Sequence, residues 1–221
     1  SLPLFTRYWF GFTILFTLLG RFGVVQPGWL VLYPEPLFYQ FQIWRPVTAL
    51  FYHPLSRQTV FHFLIYLYFL YNYSVRLETG IFEGRPADYF FMLVFAWTCS
   101  VIVALRMSMP LLMDTMILSI LCIWCQLNSD VIVHFWFGTK FKAMYLPWIL
   151  CAFNMVLAGG GFTELIGILI GYLYLFLIFK YPQDFGGPSL LSTPQIFYDS
   201  VPNTHEGYGN RHVSTSTGVV D

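Results

Sequence analysis

The chain has 221 residues, of which 57% are hydrophobic and 21% aromatic, while only 10% carry a charge. An ordinary soluble domain has about a quarter charged residues, so this composition indicates a membrane protein. The 11 basic and 11 acidic residues cancel, and nothing in that balance points to nucleic acid as a partner. The length suits one compact membrane domain followed by a tail rather than two domains.

Six apolar runs divide the chain, and each is predicted to be a helix, because in lipid every backbone polar group must be bonded within its own segment. The runs cover residues 8–25, 60–75, 89–105, 111–125, 144–158 and 162–179. The sequence therefore predicts an all-α multi-pass membrane domain in residues 1–181. Residues 182–221 are predicted to form a cytosolic and largely disordered tail, because they are rich in Pro, Gly, Ser and Thr.

Several of these runs are short for a membrane span, since a hydrocarbon core about 30 Å thick needs about 20 helical residues. Two explanations are open. Either the helices extend a turn beyond the apolar runs, or the protein thins the bilayer around it. Six spans place both termini on one side. With those termini in the cytosol, seven Lys and Arg residues lie on the cytosolic side and four on the other, as the positive-inside rule requires.

The connection after the first run, residues 26–59, contains five prolines and many aromatic residues. The prolines exclude one long helix. A solvated loop would not carry so much aromatic surface, so we expect this connection to lie in the headgroup region with its apolar side toward lipid. The alternative is a loop packed on the helices.

Three ionisable residues, His62, Asp114 and Glu164, lie near the beginnings of the second, fourth and sixth runs. A charge at membrane depth costs several kcal/mol, so they are candidates for a polar groove between helices. Taken singly, each is also explained as an end-of-helix group that reaches water. The glycines of the sequence Gly167-x-x-x-Gly171 share one helix face and would let a neighbouring helix come close.

The four cysteines all fall inside apolar runs, where cysteine acts as a small hydrophobic residue. Cys122-x-x-Cys125 has the spacing of a metal-ligand pair, but no second pair lies nearby, and a structural zinc site needs four ligands. The sequence therefore leads us to expect no metal and no cofactor.

Several short strings of the sequence are more specific evidence of kinship than its composition. They are FQIWRP at 41–46, YFLY at 68–71, RLETG at 76–80, GRPADY at 84–89, QLN at 126–128, FWFG at 135–138, YLPW at 145–148 and LSTPQ at 191–195. From about residue 6 to residue 195, the chain resembles the Derlin family on these strings.

The resemblance implies a rhomboid-like fold, with six helices and a membrane-embedded first loop, in the endoplasmic reticulum membrane. Trp44 and Arg45, followed by Pro46, match the Trp-Arg pair of the first loop and are expected to anchor it. Gly167 and Gly171 match the glycine pair of the last span and are expected to hold it against a neighbouring helix. His62, Asp114 and Glu164 are the groove candidates in this fold.

The same resemblance implies a pseudoprotease. A rhomboid protease needs a serine in a Gly-x-Ser-Gly setting on the fourth span and a histidine base on the sixth. This sequence has no Gly-x-Ser-Gly, and its fourth run offers only Ser119. The position of the base, three residues before Gly167, holds Glu164. The oxyanion motif His-x-x-x-Asn reads His62-x-x-x-Tyr66, and losing one oxyanion donor already costs about a hundredfold in rate.

The family role implies partners as well: misfolded proteins of the endoplasmic reticulum, a membrane ubiquitin ligase complex, a cytosolic AAA ATPase segregase and membrane lipid. Oligomers with itself or with other Derlins are open. In the tail, the stretch 205–212 keeps the glycine spacing of the segregase-docking motif, but His replaces both its aromatic and its leucine anchor, which puts direct docking in doubt. The expected function is retrotranslocation in protein degradation. A membrane scaffold, or a channel or transporter, is the alternative.

Overall fold

The computed structural model describes residues 3–33, 35, 41–56, 59–134, 138–158, 160–180 and 193–201. The predicted disorder of most of the tail, the stretch 205–212 and the string 135–137 lie outside the described residues. The helices are α1 (Leu4–Arg21), α2 (Pro27–Leu30), α3 (Arg45–Phe51), α4 (Val60–Arg76), α5 (Pro86–Met107), α6 (Met113–Leu127), α7 (Leu146–Ala158), α8 (Phe162–Leu175) and α9 (Gln195–Ser200).

Each of the six apolar runs coincides with a helix, but the ends differ from the predicted ones. The first run is predicted from residue 8 to residue 25, whereas α1 begins at Leu4 and ends at Arg21. It begins early because the Glu78 carboxylate accepts hydrogen bonds from the backbone N–H groups of Phe5 and Thr6, at 3.0 and 2.9 Å. It ends early because Gly23 adopts a φ of +73°, which is incompatible with a continued helix.

Helix length bears on the question of short spans. Helix α5 has 22 residues, about a turn more than its apolar run, because Pro86 starts it favourably and Ser108 in the left-handed conformation ends it. Helices α6 and α7 have only 15 and 13 residues. Among the described residues, Pro86–Met107 and Phe162–Lys180 are long and apolar enough to cross a bilayer, while Met113–Leu127 and Ala143–Val156 are apolar but shorter.

Helix α6 forms the centre of the fold. All its residues from 113 to 125 are buried, as expected of a helix that is apolar on all sides. Helix α8 packs closely along it, and α4, α5 and α7 contact it from other directions. Since α4, α6 and α8 lie side by side, their first turns meet at one end of the bundle, and these turns carry the three ionisable groove candidates.

Two short elements complete the described structure. Strands β1 (Ile132–His134) and β2 (Lys140–Lys142) pair antiparallel, with Val133 opposite Phe141. Helix α9 lies against α5, where the Phe197 ring contacts the rings of Phe90 and Phe91. The Thr193 hydroxyl, just before α9, donates to the Asp88 carboxylate at 2.6 Å. The sequence analysis did not predict this helix.

Candidate functional site

Arg45 holds the connection between α1 and α4 in shape. Its side chain is 5% exposed. Its Nε donates to the Gln42 amide oxygen at 2.6 Å, and Nη1 donates to the backbone carbonyls of Gly28 and Val31, both at 2.7 Å. Arg45 therefore fastens α3 to the backbone around α2, within the connection itself.

Trp44 and Pro46 flank this arginine and have opposite environments. Trp44 is 48% exposed, and the neighbouring Phe41 and Ile43 are exposed to 79% and 75%. Pro46 is buried, and its carbonyl accepts a hydrogen bond from the Trp97 indole N–H on α5 at 2.9 Å. The loop is therefore bonded to α5 through Pro46, and its residues Phe41, Ile43 and Trp44 present an exposed apolar surface.

Gly167 and Gly171 lie where α8 touches α6. A Cβ added at Gly167 would be 2.5 Å from the Thr115 carbonyl oxygen, and one added at Gly171 would be 2.8 Å from Cys122 Cβ. Both distances are shorter than van der Waals contact, so only glycine permits this approach. Cys122 itself is a buried free cysteine in this interface, and Cys125, one turn further along α6, is also buried and free.

The three ionisable groove candidates come together at the beginnings of α4, α6 and α8, and a fourth residue joins them. His53, from the connection between α3 and α4, lies with its Nδ1 3.6 Å from an oxygen of Asp114. Its ring stacks on that of His62, with 5.6 Å between centroids. His62 Nε2 in turn lies 3.9 Å from an oxygen of Glu164. We call His53, His62, Asp114 and Glu164 the polar cluster.

The polar cluster is shielded from solvent. His53, Asp114 and Glu164 are exposed to only 4%, 9% and 2%. Burial lowers the pKa of the His53 imidazole from its ordinary value to about 4, because a charged ring would lose its hydration. The His53 ring therefore faces Asp114 as a neutral group at physiological pH.

Two further side chains orient Glu164. The Tyr66 hydroxyl, one turn after His62 on α4, donates to Glu164 Oε1 at 3.1 Å, and the Asn154 amide on α7 donates to the same oxygen. The second oxygen, Oε2, has no hydrogen-bond partner among the residues that the structure describes. The cluster and the two side chains that orient it thus come from α4, α6, α7, α8 and the first loop.

Ser119, the serine of the fourth run, is not placed as a hydrolytic nucleophile would be. It is fully buried, and its hydroxyl donates to the Thr115 carbonyl one turn earlier on α6, at 2.7 Å. This is a common way for a serine inside a helix to satisfy its hydroxyl.

Sequence reasoning missed His53, Asn154 and Trp97. His53 is a titratable residue in an otherwise aromatic and proline-rich stretch, and that contrast was the available signal. Asn154 is a polar residue inside the apolar run 144–158 and carried a similar signal. Nothing in the sequence pairs Trp97 with Pro46, because the two residues are 51 positions apart.

Fold and site together describe a mainly α-helical protein that has long apolar helices and a buried polar cluster to which the first loop contributes His53. The model of the Der1-like family matches residues 2–195. The chain is 55% identical to Derlin-1 of Pongo abelii and of Homo sapiens over 94% of its own length and 82% of theirs. It is 46% identical to Derlin-1 of Caenorhabditis elegans over 94% of its own length and 84% of that protein.

The chain therefore belongs to the Der1-like family, which confirms the resemblance to Derlins found in the sequence. The family consists of membrane proteins of the endoplasmic reticulum that are connected with the degradation of its misfolded proteins.

Proposed function

We propose that this protein is a non-proteolytic, rhomboid-like component of endoplasmic-reticulum-associated degradation that helps misfolded proteins to leave through the membrane. In this proposal it crosses the membrane six times with both termini in the cytosol. The polar cluster and the first loop then face the lumen. Misfolded chains, lipid, a membrane ubiquitin ligase and a cytosolic AAA ATPase are its partners, and oligomers with other Derlins are compatible with it.

The observation that carries this proposal is the polar cluster, which is buried at the beginnings of α4, α6 and α8. Four ionisable side chains at membrane depth are costly, and such groups usually mark a path for polar substrate. The aromatic loop above them, closed by Arg45, offers exposed apolar rings to the lumenal leaflet. A misfolded chain would meet the disturbed leaflet first and the polar groups beneath it next.

The short helix α7 also supports local thinning of the bilayer. Helix α7 has 13 residues, which span about 20 Å at 1.5 Å per residue, against a hydrocarbon core of about 30 Å. Its Phe153, Met155 and Val156 are exposed, with fractions of 37%, 53% and 83%, as side chains that face lipid would be. A thinner bilayer lowers the cost of moving polar chain across it.

A groove of about 330 Å³ lies between α4 and α7. Phe61, Leu64 and Tyr68 line it from α4, and Leu150 and Phe153 line it from α7. Its lining is mainly apolar, so it suits a hydrophobic segment of a substrate. The polar cluster begins at His62, next to Phe61, and would receive the polar part.

The test is the half-life of a misfolded lumenal reporter in cells that lack this protein. The cells are rescued with the natural chain, with Trp44→Ala/Arg45→Ala, or with the control Trp148→Ala/Arg106→Ala, which removes an exposed Trp and an exposed Arg elsewhere. We expect the natural chain and the control to restore fast turnover, and the loop variant to fail. If the loop variant restored turnover as well, the proposed role of the loop would be wrong.

A second measurement separates remodelling of lipid from pure scaffolding. The thickness of the bilayer around the purified protein in nanodiscs is compared with that of empty nanodiscs. A local decrease on the α7 side supports retrotranslocation by thinning. Unchanged thickness, together with intact binding of ligase and substrate, favours a membrane scaffold.

A further inference from the structure

Within the polar cluster, three side chains have the arrangement of a metal-ligand set. One nitrogen of His53, one nitrogen of His62 and one oxygen of Asp114 all lie within 4.8 Å of one another. They come from three separate places in the chain: the connection after α3, the first turn of α4 and the first turn of α6. Such convergence of two imidazoles and a carboxylate at one point is what a bound cation requires.

The hydrogen bonding of these groups gives an independent reason to look for a ligand. Six buried side-chain N and O atoms of the described residues have no hydrogen-bond partner, and five of them belong to the polar cluster. They are His53 Nδ1, His53 Nε2, His62 Nε2, Asp114 Oδ1 and Glu164 Oε2. Buried polar atoms are nearly always paired in native proteins, so a concentration of unpaired ones indicates a missing ion or water.

We propose that the polar cluster binds one divalent transition-metal ion of the zinc type, with His53, His62 and Asp114 as ligands and Glu164 Oε2 at the fourth position. Two imidazole nitrogens and carboxylate oxygens are a zinc ligand set, whereas calcium and magnesium select oxygen alone. The charges also balance, because the carboxylates of Asp114 and Glu164 neutralise a divalent cation where an unbalanced charge would be costly.

The geometry requires only local adjustment. In a tetrahedral site with bonds of about 2.0 Å, ligand atoms lie about 3.3 Å apart. The 3.6 Å between His53 Nδ1 and Asp114 Oδ1 already approaches this value, and the His62 nitrogen, which lies within 4.8 Å of both groups, would have to come closer by rotation of its side chain. The hydrogen bonds from Tyr66 and Asn154 engage Oε1 of Glu164 and leave Oε2 free for the ion. Polar groups that orient a ligand in this way are typical around protein metal sites.

A metal here would join the first loop to the helix bundle. His53 is the contribution of the loop, whereas His62, Asp114 and Glu164 belong to α4, α6 and α8. An ion bound by all four would fix the end of the loop over the beginnings of these helices. The His62 side chain is 21% exposed, more than that of the other three members of the cluster. This inference departs from the expectation from the sequence that the chain holds no metal.

The experiment uses the full-length protein, purified in detergent, stripped with a chelator and titrated with Zn²⁺ alone by calorimetry, with elemental analysis of the bound metal. We expect one zinc ion per chain. His53→Gln and Asp114→Asn should each weaken binding by about tenfold or more, since even outer groups around a metal contribute that much. Size-exclusion and circular-dichroism profiles show whether each variant is folded.

Two control variants test possible ligands elsewhere in the chain. Cys122→Ser/Cys125→Ser removes the cysteine pair, and His205→Ala/His212→Ala removes the histidines of the tail. Both should bind zinc like the natural chain. The proposal is overturned if the natural chain binds no zinc, in which case ordered water satisfies the cluster, or if a control variant loses the zinc while His53→Gln and Asp114→Asn retain it.

Replacing zinc by Co²⁺ gives a spectroscopic readout of the ligands that does not depend on the stability of the variants. With Co²⁺ in place of zinc, the natural chain should show the visible d–d bands of a tetrahedral nitrogen and oxygen site, without a thiolate charge-transfer band. His53→Cys replaces one ligand by another that zinc and cobalt accept. This variant should keep the metal and gain the thiolate band. If it binds cobalt without that band, His53 is not a ligand.

Discussion

Tyr66 donates its hydroxyl to Glu164 across 3.1 Å, and this bond joins two positions at which the sequence departs from the motifs expected of a rhomboid protease. By the resemblance drawn from the sequence, Tyr66 stands where an oxyanion donor would stand, and Glu164 where the histidine base would. At the beginning of α8, the Tyr66 hydroxyl is bonded to one of the two carboxylate oxygens of Glu164. The bond is a contact between α4 and α8.

The first prediction concerns this contact. Tyr66→Phe should lower the free energy of unfolding by about 1.5–3 kcal/mol, because a buried hydrogen bond to a carboxylate is removed while the ring remains. Thermal unfolding of the purified protein in detergent measures the change. Tyr68→Phe is the matched control, since Tyr68 on the same helix is 63% exposed and should tolerate the loss of its hydroxyl. Equal effects of the two substitutions would show that the bond to Glu164 contributes nothing.

The second prediction concerns the close approach of α8 to α6. Gly167→Ala and Gly171→Ala should each cost about 1–3 kcal/mol, because the added methyl group overpacks the interface. Gly11→Ala on α1 is the control. A Cβ there meets nothing within 4 Å, so the helix should gain about 0.5–1 kcal/mol from the better helix former. Thermal unfolding again gives the values, and a neutral effect at Gly167 would contradict the packing described here.

The third prediction concerns Arg45. Arg45→Lys keeps the charge but cannot reproduce the planar fork that reaches Gln42, Gly28 and Val31 together. Hydrogen bonds to charged groups contribute about 1.5–3 kcal/mol each, so the loop should loosen measurably even with lysine. Limited proteolysis of the first loop in proteoliposomes tests this, and cleavage should be faster than in the natural chain. Arg106→Lys, at an exposed arginine, should leave the cleavage rate unchanged.

Much of this architecture could be predicted from the sequence, because the apolar runs are clearly separated and lipid allows few alternatives to the helix. The ends of the helices were harder to place. The beginning of α1 depends on Glu78, which is more than 70 residues away and whose carboxylate accepts hydrogen bonds from the first N–H groups of the helix. No local pattern contains that information.

The site could be predicted in part for the same reason. His62, Asp114 and Glu164 attracted attention as charges inside apolar runs, and their positions at the starts of alternate spans implied one side of the membrane. That they meet, and that His53 joins them, depends on how α3 and the following connection fold back over α4 and α6. Since the loop is shaped by the Arg45 contacts with backbone carbonyls, its path could not be read from side-chain patterns.

The last prediction concerns the absence of proteolysis. Ser119→Ala should leave reporter turnover unchanged and should cost only about 1 kcal/mol of stability, because the hydroxyl serves a single local hydrogen bond to the Thr115 carbonyl. The natural chain should also fail to react with a fluorophosphonate probe, since a serine that is fully buried and bonded to its own helix offers no activated oxygen. Reaction of the probe with the natural chain, and its loss in Ser119→Ala, would show that this serine is a nucleophile and that the proposed non-proteolytic function is wrong.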